Sequence, residues 1–164
     1  MKKNIVVFIA ILLIIECQGQ EGISLSQSTN NTFIIDIFAR GDNNRLHFGY
    51  SHQFNGQKGK VEKTKLDGST ETEKGKYFWT CDLGYSRIFF NHIAVHSELS
   101  IGGSKKFTNF KDERDYIDDY SVITSRNLAV GIGLKLGYSF KFGFEPFIGF
   151  NTLKKVDIGA RVFW

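Results

Sequence analysis

His92, His96 and Glu98 are of metal-ligating type and lie within seven consecutive positions. In an extended strand, residues two apart share a face at a spacing of about 7 Å, so a pair of them closes on one ion only with help from a neighbouring strand. His47 is the candidate for that help. Hydrogen bonding inside a polar interior is the competing role for His47, His92 and His96. The tripeptide His96-Ser97-Glu98 contains the residue types of an acyl-transfer nucleophile system. Adjacent strand residues point to opposite faces, however, so His96 and Ser97 do not pair if this segment is a strand. A wider set of charges comprises Asp36, Arg40, Asp82, Glu98, Lys135, Glu145, Asp157 and Arg161. These recur on faces otherwise made of Gly, Ala and Ser, with both signs present. They suit a buried network of ion pairs or, alternatively, a path for protons or ions. The acidic run from Asp112 to Asp119 lacks the spacing of an EF-hand loop. No catalytic residue, metal site or cofactor is expected.

The elements that position these residues have a period of two. Leu128, Val130, Ile132, Leu134, Leu136, Tyr138 and Phe140 alternate with Ala129, Gly131, Gly133, Lys135, Gly137, Ser139 and Lys141. A strand separates those two sets and a helix does not. The same alternation places Val156, Ile158, Ala160, Val162 and Trp164 opposite Asp157, Gly159, Arg161 and Phe163. Extended to the whole chain, it predicts strands at about 21–27, 32–40, 45–54, 76–90, 92–104, 126–140, 142–150 and 155–164. A tilted strand needs about 9 to 11 residues to cross a bilayer. The connections fall into two kinds. Tight turns are expected at Gly41 to Asn44, at Asn91 and near Lys141, all at one end. Long charged loops, Asn55 to Gly75 and Lys105 to Ser125, lie at the other end, with shorter connections at Ser28 to Asn31 and Asn151 to Lys154. Tyr116 and Tyr120 in the second long loop are candidates for an adhesive surface.

The 164 residues include 16 Phe and 17 Gly but a single Pro, a composition suited to long paired strands because Pro lacks the ladder donor. The net charge of +4 is spread with both signs through the same segments, which argues against a nucleic-acid surface. Lys2 and Lys3 followed by apolar Ile5 to Ile15 read as a signal peptide. Cleavage after Gly19 leaves a mature chain of 20–164; lipidation at Cys17 is the alternative. Cys81 then remains alone, without a disulfide partner, on a lipid-facing strand.

Two barrels produce such alternation. A lipocalin-like barrel keeps its apolar face inside, and a membrane barrel keeps it outside. Gly, Ala and Ser with isolated charges of both signs on the less apolar face favour a crowded lumen. Tyr50, Phe54, Tyr138, Phe140, Phe142 and Trp164 lie near strand ends, where interfacial girdles sit. The fold class expected is all-β: an eight-stranded antiparallel up-and-down transmembrane β-barrel preceded by a signal peptide.

The chain ends Gly159-Ala160-Arg161-Val162-Phe163-Trp164. An aromatic last residue after alternating apolar positions resembles the C-terminal signal that outer-membrane proteins present to the barrel-assembly machinery, with Val162, Phe163 and Trp164 as its end. The usual last residue is Phe, and Trp164 departs from it. With the strand pattern and leader, the mature chain resembles the superfamily of small eight-stranded outer-membrane β-barrels that includes OmpX, Ail and the OmpA membrane domain. The resemblance implies location in the cell outer membrane. It also implies contact with outer-membrane lipid, lipopolysaccharide and the assembly machinery, and an extracellular ligand or host surface for the outer loops. Members include adhesins, serum-resistance factors and envelope anchors. Others of similar architecture are lipid A deacylases or acyltransferases, which makes an enzyme the alternative to a structural or adhesive role.

Overall fold

The computed structural model describes residues 20–40, 43–54, 56–112 and 118–164. The leader 1–19, with its processing alternatives at Gly19 and Cys17, lies outside them, as do Gly41 and the part of the acidic run that includes Tyr116. The strands are β1 (Gln20–Ser28), β2 (Thr32–Arg40), β3 (Asn44–Gln53), β4 (Lys60–Glu62), β5 (Ser69–Phe89), β6 (Ile93–Asp112), β7 (Tyr120–Tyr138), β8 (Phe144–Asn151) and β9 (Lys155–Phe163). All except β4 form a ring of antiparallel neighbours, closed where β1 meets β9 and β7 meets β8. Closure leaves no sheet edge around the ring, which is what allows strands to cross a bilayer with their backbone groups satisfied. Among the described residues no helix is long and apolar enough to cross a membrane.

The faces are those of a barrel turned inside out relative to a soluble one. Leu128 is 75% exposed and Ile132 63%, whereas Asp82, Glu145 and Asp157 are fully buried. Apolar side chains point outward from every ring strand, and Cys81 is exposed among them. The tight-turn end is built by backbone geometry. Phe90 and Asn91 both have positive φ, 53° and 64°, and His92 N donates to Phe89 O at 3.1 Å, the turn geometry that matches strand twist. Between β7 and β8, Gly143 at φ 83° lets its own N–H reach Phe140 O, while Phe140 N donates to Phe144 O.

The two expected long loops are mostly strand. β5, β6 and β7 have 21, 20 and 19 residues, against 10 in β3 and 8 in β8. β3 meets β5 no higher than the pair His52↔Trp79, and β8 meets β7 no higher than Asn151↔Gly133. The upper parts of β5, β6 and β7 therefore stand beyond the ring as a three-stranded wing. Sequence alternation hides it for two reasons. Both faces of β5 are polar from Ser69 to Lys76, and register shifts at Glu71/Glu73 and at Lys106/Phe107 interrupt the period of two. β4 runs parallel to β7, pairing Lys60↔Tyr120 to Glu62↔Val122, so the β3–β5 connection wraps across the wing to its far edge. Lys58 N donates to Asn109 Oδ1, Asn109 Nδ2 to Gly56 O, Gln57 Nε2 to Ser121 Oγ and Leu66 N to the Tyr120 hydroxyl. Phe107, Phe110 and Tyr120 are buried in the wing, Tyr120 stacked on Phe110 at 5.4 Å and the Phe107 ring lying over Gly75.

Candidate functional site

The lumen collects charge from seven ring strands and one turn. Asp36 comes from β2, Arg45 and His47 from β3, Asp82 from β5, His96 and Glu98 from β6, Lys135 from β7, Glu145 from β8, Asp157 and Arg161 from β9, and Lys154 from the β8–β9 turn. All are buried. Strand alternation puts each ring-strand member inside, because its neighbours in sequence face outward.

Two linked centres result. Toward the tight-turn end, Glu145 takes Arg45 Nη1 on Oε2 at 2.5 Å and Arg161 Nη1 on Oε1 at 2.7 Å. His96 Nε2 lies 2.9 Å from Glu145 Oε1 and 2.5 Å from Arg161 Nη1. Below them, the Arg45 guanidinium rests 4.1 Å from the Phe163 ring centroid, and Phe163 meets Phe38 edge-on at 4.8 Å. Toward the wing end, Glu98 takes Lys135 Nζ on Oε2 at 2.8 Å and Lys154 Nζ on Oε1 at 2.7 Å. Lys135 reaches Asp157 Oδ2 at 3.2 Å, and Lys154 reaches Asp82 Oδ2 at 2.8 Å. Asp82 also accepts from Thr80 and Ser51, and Asp36 from Ser24. Asn151 Nδ2 donates to Glu98 Oε1 at 2.8 Å.

In the barrel lumen, five described carboxylates (Asp36, Asp82, Glu98, Glu145, Asp157) thus face four cationic side chains (Arg45, Lys135, Lys154, Arg161). Such ions are costly to bury singly, and their stability depends on each having partners of opposite sign. Asp36, Asp82 and Glu98 offer oxygens within 4.8 Å of one another, a grouping of metal-binding type. The Lys154 ammonium already bridges two of the three, so the cation at this spot is a side chain.

Several expected placements need correction. His92 is not lumenal. The turn at Phe90–Asn91 takes it out of the alternation; its Nδ1 lies 3.2 Å from Ser139 O and its ring stacks on outward-facing Tyr138 at 5.5 Å. The trio of His92, His96 and Glu98 therefore does not converge. His47 does approach Glu98, at 4.0 Å, and its ring lies 6.5 Å from that of His96. Ser97 points outward and donates to Tyr85 O, while His96 is fully buried, so the two form no nucleophile pair. Arg40 ends β2 opposite Arg45, and its side chain lies outside the described part. Val162 and Trp164 face outward, whereas Phe163 is buried. Arg45 and Lys154 are the members that sequence reading missed. Arg45 had a signal, since it shares parity with His47. Lys154 had none, because a turn residue's direction does not follow from alternation.

No protein-family model matches the chain, and no curated protein matches it in sequence. Solved structures do match in shape. Ail of Yersinia pestis in a phospholipid bilayer nanodisc aligns with TM-score 0.56 at 12% identity, over 90% of this chain and 100% of that one. The crystal structure of the same attachment invasion locus protein gives 0.50 at 10% identity, over 90% and 96%. The N-terminal β-barrel domain of Pseudomonas aeruginosa OprF gives 0.50 at 11% identity, over 90% and 98%. With the outward apolar belt and the buried polar lumen, these likenesses identify the fold as that of the small eight-stranded outer-membrane β-barrels.

Proposed function

We propose that the mature chain, from residue 20 after removal of a leader at 1–19, is a non-enzymatic barrel of the cell outer membrane. Its wing makes contacts at the cell surface in a structural or adhesive role. The observation that carries this reading is the wing: three strands run on past the apolar belt and present an exposed polar face from Thr70 to Lys74. The tight turns then lie in the periplasm and the wing outside, the usual asymmetry of such barrels. The attachment and invasion for which Ail is named support an adhesive role and an extracellular or host-surface partner. Outer-membrane lipid, lipopolysaccharide and the barrel-assembly machinery are the partners that insertion itself requires, with Val162, Phe163 and Trp164 as the assembly signal. The lumenal charges act as a plug that stabilises the barrel. A lipid A-modifying enzyme is disfavoured because Ser97 and His96 face opposite ways.

The test is fractionation of cells expressing the full chain, with heat-modifiable gel mobility, followed by attachment of those cells to host-cell monolayers. The same cells carrying the wing shortened to the height of the ring serve as comparison. The expected result is an outer-membrane, heat-modifiable protein whose attachment falls on shortening. A soluble periplasmic protein overturns the membrane reading, and equal attachment overturns the adhesive one. Unchanged lipid A mass spectra with and without the protein are expected from a non-enzyme.

A further inference from the structure

On the outward face of the wing's root, strand register sets two cations directly opposite each other. Lys105 of β6 is the cross-strand partner of Arg126 of β7, and on its other side Lys105 is partnered by Tyr77 of β5. Like charges placed opposite one another across a ladder are destabilising unless something anionic lies between them. Among the described residues no acid is paired with either: Lys105 Nζ lies over the Tyr77 ring at 5.7 Å, and Arg126 is exposed. Glu73, the acid on that face of β5, stands farther out beside Gly56, beyond the Phe107 ring that covers Gly75.

The height of this pair on the barrel is what gives it meaning. The next outward row toward the membrane is Trp79, Gly103 and Leu128, and the row below that includes Ile101 and Val130. Leu128, Ile101 and Val130 are exposed apolar side chains, and Trp79 is a half-exposed aromatic of the kind that sits at headgroup level. Above the pair, the β3–β5 connection crosses the same face of β6, holding Asn109 through Gly56 and Lys58. The two cations thus occupy a ledge one row above hydrocarbon and beneath an overhang.

We propose that Lys105 and Arg126 seat a phosphate of an outer-leaflet glycolipid headgroup, whose acyl chains lie down the strip of Leu128, Val130 and Ile101. Charge-assisted hydrogen bonds from an ammonium and a guanidinium to one phosphate convert the like-charge pair into a favourable contact. The geometry selects a membrane-anchored phosphate because apolar surface continues directly below the cations. The assignment rests on the outward orientation of the wing.

The test uses the full mature chain in detergent micelles, with lipid retention read by native mass spectrometry. The probes are diphosphorylated lipid A, its phosphate-free form and phosphatidylglycerol. Wild type is expected to retain diphosphorylated lipid A at least about five-fold over the other two. Lys105→Gln with Arg126→Gln is expected to abolish that preference, whereas Lys106→Gln, on the opposite face of the same strand, keeps it. Equal retention by the double variant, or retention of the phosphate-free form at wild-type level, overturns the site. Preference for phosphatidylglycerol overturns the glycolipid assignment. Heat-modifiable mobility of each variant confirms folding, and protease access to the wing on intact cells reports orientation separately, so a reversed barrel is distinguished from an absent site.

Discussion

Lys154 sits in a turn at the rim, yet its ammonium lies 2.7 Å from Glu98 on β6 and 2.8 Å from Asp82 on β5. A turn between β8 and β9 is thereby tied to the far side of the barrel. Lys154→Ala leaves two buried carboxylates short of a cation, and breaking a buried pair in this way typically costs about 3–5 kcal/mol. The expected outcome is a clear fall in the temperature at which the heat-modifiable form is lost in detergent, with Lys154→Arg falling less. An unchanged transition would show that the ammonium is dispensable to the plug.

Arg161→Ala is expected to lower the same transition, because Glu145 then keeps Arg45 but loses the guanidinium at 2.7 Å. Adding Glu145→Gln to Arg161→Ala should cost less than the sum of the two single changes, since residues in one network couple by about 0.5–3 kcal/mol. Strict additivity in that cycle would count against a linked centre.

These two residues also show what a sequence discloses. Arg161 and Glu145 lie on strands whose outward positions, such as Val156, Ile158, Val162, Ile148 and Phe150, are apolar, and the inward direction of each follows from its parity. Arg45 obeys the same rule one pair from the strand end. Lys154 does not, because its direction is set by the hydrogen bonds of Leu153 N and Lys154 N to Asn151 Oδ1, which no periodicity encodes. The wing was legible only as two charged segments of similar length. Its strands pair polar residues on both faces and carry register shifts, so hydrophobic alternation, the main signal for strands, is missing there. His92 misled for a related reason: a turn with two positive φ values consumed the residue that alternation would have placed inside.

With its charged side chains interlocked across the lumen, the barrel should not conduct. Reconstituted into planar bilayers, the intact chain is expected to give no persistent unitary steps, and steady steps would sink the sealed-lumen reading. Eight strands leave an interior only about wide enough for side chains.

Gly102 tests the closeness of β5 and β6. A Cβ there would lie 1.9 Å from Trp79 O and 2.6 Å from Thr80 Cα, contacts with backbone that cannot swing aside. Gly102→Val is expected to reduce severalfold the fraction that folds into detergent, measured by the heat-modifiable band. Normal folding would mean that the strands separate more easily than their register implies.

The wing makes a separate prediction. Tyr120 is buried, stacks on Phe110 and accepts Leu66 N at 2.8 Å, so it pins the β3–β5 connection from beneath. Tyr120→Ala is expected to speed protease cleavage between Gln57 and Leu66 on intact cells while leaving the barrel's thermal transition within a few degrees of wild type. Cleavage at the wild-type rate would show that the connection is held without Tyr120.

β5 and β6 are paired from Ser69↔Asp112 at the tip to Phe89↔Ile93 at the opposite turn, a ladder continuous from the wing through the ring apart from one shift. A tug on the tip along the strand direction therefore loads many hydrogen bonds at once in shear instead of opening them one after another. A projection built this way behaves as a mast stepped in the barrel wall: tension applied at its tip would pass down the paired strands into the ring.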